Sequence, residues 1–286
     1  MEIKRDYAYY KEQAPFVELE DITSSESNRE FLRKLRDNDS DLDFMYISGR
    51  AIGYDDEFVL RDGDLGWLGY FVGESKTLEC LSIQNCDLPP GNSLVEGICR
   101  NRSIECLEIT NDLGDYPSLI SSLQGTLKEL ILQRFTVADF PDLARVLGQN
   151  ANLPALTFGS ADFSGDASVL TKVLSKQTQL ESLKFEFCDL DNDPEMERKF
   201  CTALSTTFAT WGDKAKLQSL NLSCNGMNGE GMEILRGRSF SIWSFQRCKC
   251  KPRITQPVRK CVFNSRDKLA INFDPIKTIE AAKAFN

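Results

Sequence analysis

Four cysteines, Cys224, Cys248, Cys250 and Cys261, are the residues whose type and number first suggest chemistry, because four thiolates complete a tetrahedral zinc shell. Their spacing argues against it. Paired zinc ligands are typically separated by two to four residues, whereas a single Lys249 separates Cys248 from Cys250. The acidic pairs Asp55-Asp56 and Asp191-Asp193 lie in turn-like stretches of an acidic chain and read as solvated charges. Histidine is absent altogether, which removes the usual general base, the Ser-His and Cys-His dyads and the commonest metal ligand together. The sequence also lacks a Gly-rich phosphate loop and a nucleophile-elbow pentapeptide. The expectation is therefore a non-enzymatic protein with no catalytic residue, cofactor or metal.

Composition narrows the class further. With 286 residues, 41% of them hydrophobic, the chain can bury a core and lies near the size where one core gives way to several domains or to a repeat array. A net charge of -9 argues against general affinity for nucleic acid, which requires cations to displace counterions from phosphates. The start, "MEIKRDYAYYKEQAPF", has no apolar run of signal-peptide length, and no stretch approaches the roughly 20 apolar residues that span a membrane. Ten cysteines at scattered spacings read as reduced thiols of a cytoplasmic protein, with the nucleus left open.

The elements that would position any site come from a repeated spacing. In "LECLSIQNCDL" the apolar or small residues are Leu78, Leu81, Ile83, Cys86 and Leu88, which matches neither strand alternation nor helical stride. The same template starts at residues 42, 78, 104, 127, 153, 180 and 217, at intervals of 36, 26, 23, 26, 27 and 37 residues. Helically spaced segments fill the intervals: "LGWLGYFVG", "SLVEGICR", "DLARVLGQ", "SVLTKVLSK" and "MERKFCTALSTTF". Each copy thus reads as strand, turn, helix, turn. Within a strand the fourth and sixth positions point one way and the third, fifth and seventh the other. One such unit cannot bury its own apolar face, so the copies must stack, strands into a parallel sheet and helices behind it.

The pattern Leu-x-x-Leu-x-Leu-x-x-Cys/Asn-x-Leu followed by a helix resembles the leucine-rich repeat family, and most closely its ribonuclease-inhibitor-like subclass, over residues 42 to 235. The resemblance implies an α/β fold: a curved solenoid, or horseshoe, with a parallel sheet on the concave side and helices on the convex side. Its uneven intervals, the insertion at 53 to 64 and the long helix near 195 to 211 depart from a smooth horseshoe.

Residues 1 to 41 read as an N-terminal capping segment, with Ser27 and Glu30 at capping-box spacing before a helix near 28 to 37. Residues 42 to 237 form the solenoid. Residues 238 to 286 comprise a degenerate last repeat, "FSIWSFQRCKC", a basic tail and a final helix in "DPIKTIEAAKAF". Between Arg236 and Lys268 ten Lys or Arg residues face one acid, Asp267.

Function then rests on the third, fifth and seventh positions, which the alternation turns toward water. The expected partner-binding residues are Phe44, Tyr46, Ser82, Gln84, Glu108, Glu129, Ile131 and Gln133. The aromatics Phe44 and Tyr46 and the apolar Ile131 would be anchors if exposed, unless the capping helix folds over the first two. Seven strands at ~4.8 Å with three residues each offer on the order of 300 Å², against roughly 800 Å² per partner in a stable complex, so a partner would also touch adjoining loops. The reading is a protein-binding scaffold or adaptor of unspecified partner. The resemblance also implies two alternatives, an activator of a small GTPase and a substrate-recruiting subunit of a ubiquitin ligase. The basic tail weighs against the first and the short N-terminal segment against the second. A nucleic-acid contact through residues 236 to 268 is a third, unlike the rest of the chain in charge. Leu183→Ala and Leu130→Ala are expected to cost ~2 to 5 kcal/mol, while Ser82→Ala and Thr157→Ala, facing water, are expected to cost under ~0.5 kcal/mol.

Overall fold

The computed structural model describes residues 5–49, 57–60, 65–88, 92–110, 116–164, 166–190, 193–235 and 242–244, apart from positions 87, 124, 189, 191–192, 226 and 228. The chain divides into two units, Met1–Lys249 and Cys250–Asn286, and every described residue belongs to the first. The expected final helix, the basic residues from Lys249 onward and Cys248, Cys250 and Cys261 lie outside the described residues.

Strands form where the template puts its third to seventh positions, because two branched or leucyl side chains facing one way there seat against a pleated, half-buried surface. They are β1 (Phe44–Ser48), β3 (Cys80–Gln84), β4 (Cys106–Thr110), β5 (Glu129–Gln133), β6 (Ala155–Gly159), β7 (Ser182–Glu186) and β8 (Ser219–Asn221). Two more strands stand among the described residues: β2 (Glu57–Val59), inside the 53 to 64 insertion, and β9 (Ile242–Ser244) at the third to fifth positions of the degenerate last copy. All nine pair in parallel in one sheet of order β2-β1-β3-β4-β5-β6-β7-β8-β9. The template positions align without slip, so that Met45, Leu81, Leu107, Leu130, Leu156, Leu183 and Leu220 make one row across the sheet.

The connecting helices are α3 (Leu65–Glu74), α4 (Ser93–Arg100), α5 (Tyr116–Ser122), α6 (Phe140–Gln149), α7 (Val169–Leu174), α8 (Pro194–Trp211) and α9 (Gly229–Leu235). Their apolar faces join the fourth- and sixth-position residues of the strands in a single core. At its centre Phe158 stacks on Phe185 at 5.2 Å, and Phe200 of α8 meets Phe185 edge-on at 4.9 Å.

Local hydrogen bonds explain the two unusual template positions. At the ninth, Cys86 donates its thiol to Ile47 O and Gln84 O, and Cys188 donates to Phe158 O and Glu186 O. Asn225 does the same task with an amide, accepting from Cys188 N at 2.7 Å and donating to Phe185 O at 2.8 Å. At the eighth, the chain turns sharply: Asn85, Arg134, Ser160, Phe187 and Cys224 all have positive φ between 49 and 63°. Cys224 is also disulfide-bonded, a departure from the all-thiol expectation.

The N-terminal segment differs in detail from the expectation. Helix α2 (Glu26–Asp37) is capped by Ser25, which accepts from Asn28 N, two residues before the expected cap at Ser27. Glu30 pairs with Arg33 instead of closing a capping box. Asn28 is diverted to a different task, donating to Val59 O at 2.8 Å and accepting from Val59 N at 3.1 Å. These bonds occupy the backbone of Val59 on the outer edge of β2, a position that would otherwise be open to pairing with another chain. Phe31 meets Phe58, the core-facing partner of Ile47, so α2 closes the edge of the sheet and its core side rather than lying over Phe44 and Tyr46. A helix not anticipated from the sequence, α1 (Tyr7–Gln13), starts at the Asp6 cap and buries Tyr10 edge-on against Trp67 at 5.0 Å.

Candidate protein-binding face

The third, fifth and seventh positions share the face of the sheet opposite the core, as the alternation requires. Their exposure differs from the expectation. Ser82 is 0% exposed, Ile131 4%, Tyr46 5% and Gln133 7%, and Thr157 is buried as well. Phe44, Gln84, Glu108 and Glu129 are partly buried. The physical reason is lateral: at about 4.8 Å between strands, side chains on one face shield one another almost as completely as those in the core. Tyr46 in addition has a neighbour on both sides, since β2 extends the sheet one strand beyond β1 and places Glu57 opposite it.

What fills the face is a hydrogen-bonded chain across four strands. The Tyr46 hydroxyl donates to Gln84 Oε1 at 3.1 Å, and Gln84 Nε2 donates to Glu108 Oε1 at 3.1 Å. Gln133 Nε2 reaches the same Glu108 oxygen from the other side at 3.2 Å, and Ser82 also hydrogen-bonds Glu108. Space for Gln133 comes from Gly159 on the next strand, where a Cβ would stand 2.2 Å from Gln133 Oε1. Five of the eight expected binding residues, Tyr46, Ser82, Gln84, Glu108 and Gln133, are therefore brought into one network. Ile131 sits between Glu108 and Thr157 in register, and Phe44 lies beside Cys80.

Among the described residues, the charged groups of the face are four carboxylates, those of Glu57, Glu108, Glu129 and Glu186, and the ammonium of Lys184. Lys184 Nζ lies 3.5 Å from Glu129 Oε1. Burial pushes the Glu108 carboxyl above the usual carboxylate range, against the hydrogen bonds from Ser82, Gln133 and Gln84 that favour its charged form. Burial likewise raises Glu186, which Lys184 partly offsets. Lys184 and Glu186 hold the fifth and seventh positions of their copy and stand outside the expected binding set. Only the register of β7 beside β6 and β5 brings them near Glu129.

No three His, Cys, Asp or Glu side chains among the described residues come together as a metal site. No helix among the described residues is long and apolar enough to cross a membrane. Compared with known proteins, the chain matches no family model and no curated sequence.

Proposed function

We propose that the chain is a leucine-rich-repeat solenoid of the ribonuclease-inhibitor-like kind, curved with its sheet on the concave side, and that it acts in the cytoplasm as a non-enzymatic scaffold. A partner protein binds the sheet face and the loops that follow the strands. The observation that carries this reading is the network from Tyr46 through Gln84 and Glu108 to Gln133, which holds polar and aromatic groups in fixed positions across four strands. A rigid face loses little side-chain freedom on binding, and that is the usual cost of an interface built from long polar side chains.

The test compares capture of cellular proteins by the wild type, by Phe44→Ala/Glu129→Lys on the face, and by Arg145→Glu/Lys176→Glu on the helix side. The expected outcome is a specific partner retained by wild type and by the helix-side variant and lost from the face variant. A partner lost only with the helix-side substitutions would overturn the assignment of the face.

A further inference from the structure

We propose that Cys80 and Cys106 form a dithiol–disulfide couple, a site of reversible oxidative modification whose oxidant is a low-molecular-weight disulfide of the glutathione type. The two residues are direct partners in the parallel pairing of β3 with β4, on the same face of the sheet. Strand spacing of about 4.8 Å places their backbones inside the ~4.4 to 6.8 Å range that a disulfide spans. Their thiols are already hydrogen-bonded to each other. Both are partly exposed, whereas Cys86, Cys188 and Cys201 are buried, and the thiols of Cys86 and Cys188 are committed to backbone carbonyls. Among the described residues no other two free cysteines stand opposite one another in the sheet.

The exchange balances in two steps. One protein thiolate attacks a sulfur of the small disulfide, whose S–S bond breaks and releases one small thiol, leaving a mixed disulfide. The second protein thiolate then attacks the protein sulfur of that mixed disulfide, forming the Cys80–Cys106 bond and releasing the second small thiol. The two protein thiols are oxidised, the small disulfide is reduced, and the two protons end on the released thiols. The hydrogen bond to Cys106, burial and the carboxylates of Glu108 and Glu129 all hold the Cys80 thiol protonated, so exchange is slow and is best read at equilibrium. Both thiols lie on the sheet face, so the exchange is measured on the chain alone.

The experiment equilibrates the folded full-length chain in glutathione buffers of increasing oxidised fraction. Acid quenching, alkylation and peptide mass spectrometry then read each cysteine, with far-UV circular dichroism confirming that the fold persists. The expected result is a Cys80–Cys106 linked peptide that grows as the two separately alkylated peptides are lost. In Cys106→Ser, Cys80 should stop instead at a glutathione adduct. Separate alkylation of Cys80 and Cys106 at every buffer ratio, or adducts at both in the wild type without a link, would overturn the proposal.

Discussion

Glu108 carries a conflict between burial and charge on the sheet face, and the conflict has a defined pH signature. Its folded-state pKa lies above the ordinary carboxylate value, so the folded chain binds more protons than the unfolded chain between those two points. Stability from this group therefore rises as pH falls through the folded-state value toward the unfolded carboxylate value of about 4.3, and is lost as pH rises through the folded-state value. Glu108→Gln keeps an oxygen for Gln84 and Gln133 but removes the charge. Urea midpoints across that pH range are expected to flatten relative to wild type, and an unchanged slope would show that Glu108 is not strained. Ser82→Ala removes a buried hydroxyl that hydrogen-bonds this carboxylate. A cost of about 1 to 3 kcal/mol is expected, well above the ~0.5 kcal/mol that a water-facing position would give.

Between elements, buried polar side chains tie several helix ends to the helix before them. Asn101 donates from Nδ2 to Val72 O and Ser75 O, Asn150 donates to Ile120 O, and Gln177 donates to Leu147 O. Trp211 plays the same part for α7, donating Nε1 to Leu174 O at 2.9 Å. The last carbonyls of a helix have no partner within it, and here the next copy supplies one. Asn101→Ala is expected to cost about 1 to 3 kcal/mol by thermal or chemical unfolding, because it takes the acceptor from the backbone N–H groups of Ser103 and Ile104 and one donor each from Val72 O and Ser75 O. Helices α3 and α4 approach through glycines instead: a Cβ on Gly97 would lie 1.8 Å from Gly69 O. Gly97→Ala must push the helices apart, at a cost of about 1 to 3 kcal/mol, although alanine is the better helix former.

For the molecule as a whole, the shared core couples neighbouring copies, so a cavity in one is felt in the next. Leu130 and Leu183 are fully buried on either side of Leu156 in the fourth-position row. Leu183→Ala or Leu130→Ala is expected to lower stability by ~2 to 5 kcal/mol, a large share of the ~5 to 15 kcal/mol typical of a folded domain. The denaturant midpoint, read by circular dichroism, checks this directly, and a loss under ~1 kcal/mol would contradict a shared core.

The positions of the template strands, their parallel pairing and the in-or-out sense of their residues were legible in the spacing of leucines. A period-2 alternation inside a repeat of twenty to forty residues admits one way to bury both the strands and the helices. The same template puts Cys86 and Asn225 at its ninth position, while the bonds they make there depend on the neighbouring copy. Exposure did not follow, because the direction of a side chain says nothing of how closely its neighbours stand. Tyr46, Ser82 and Ile131 point away from the core yet are shielded by adjacent strands. Edge protection also came from outside the pattern, with β2 and the Asn28 bonds to Val59 contributed by an insertion and a cap that the template does not cover. Local periodicity sets which way a residue points, while the meeting of Glu108 with Gln84 and Gln133, or of Cys80 with Cys106, depends on which strands lie side by side across more than twenty residues of chain.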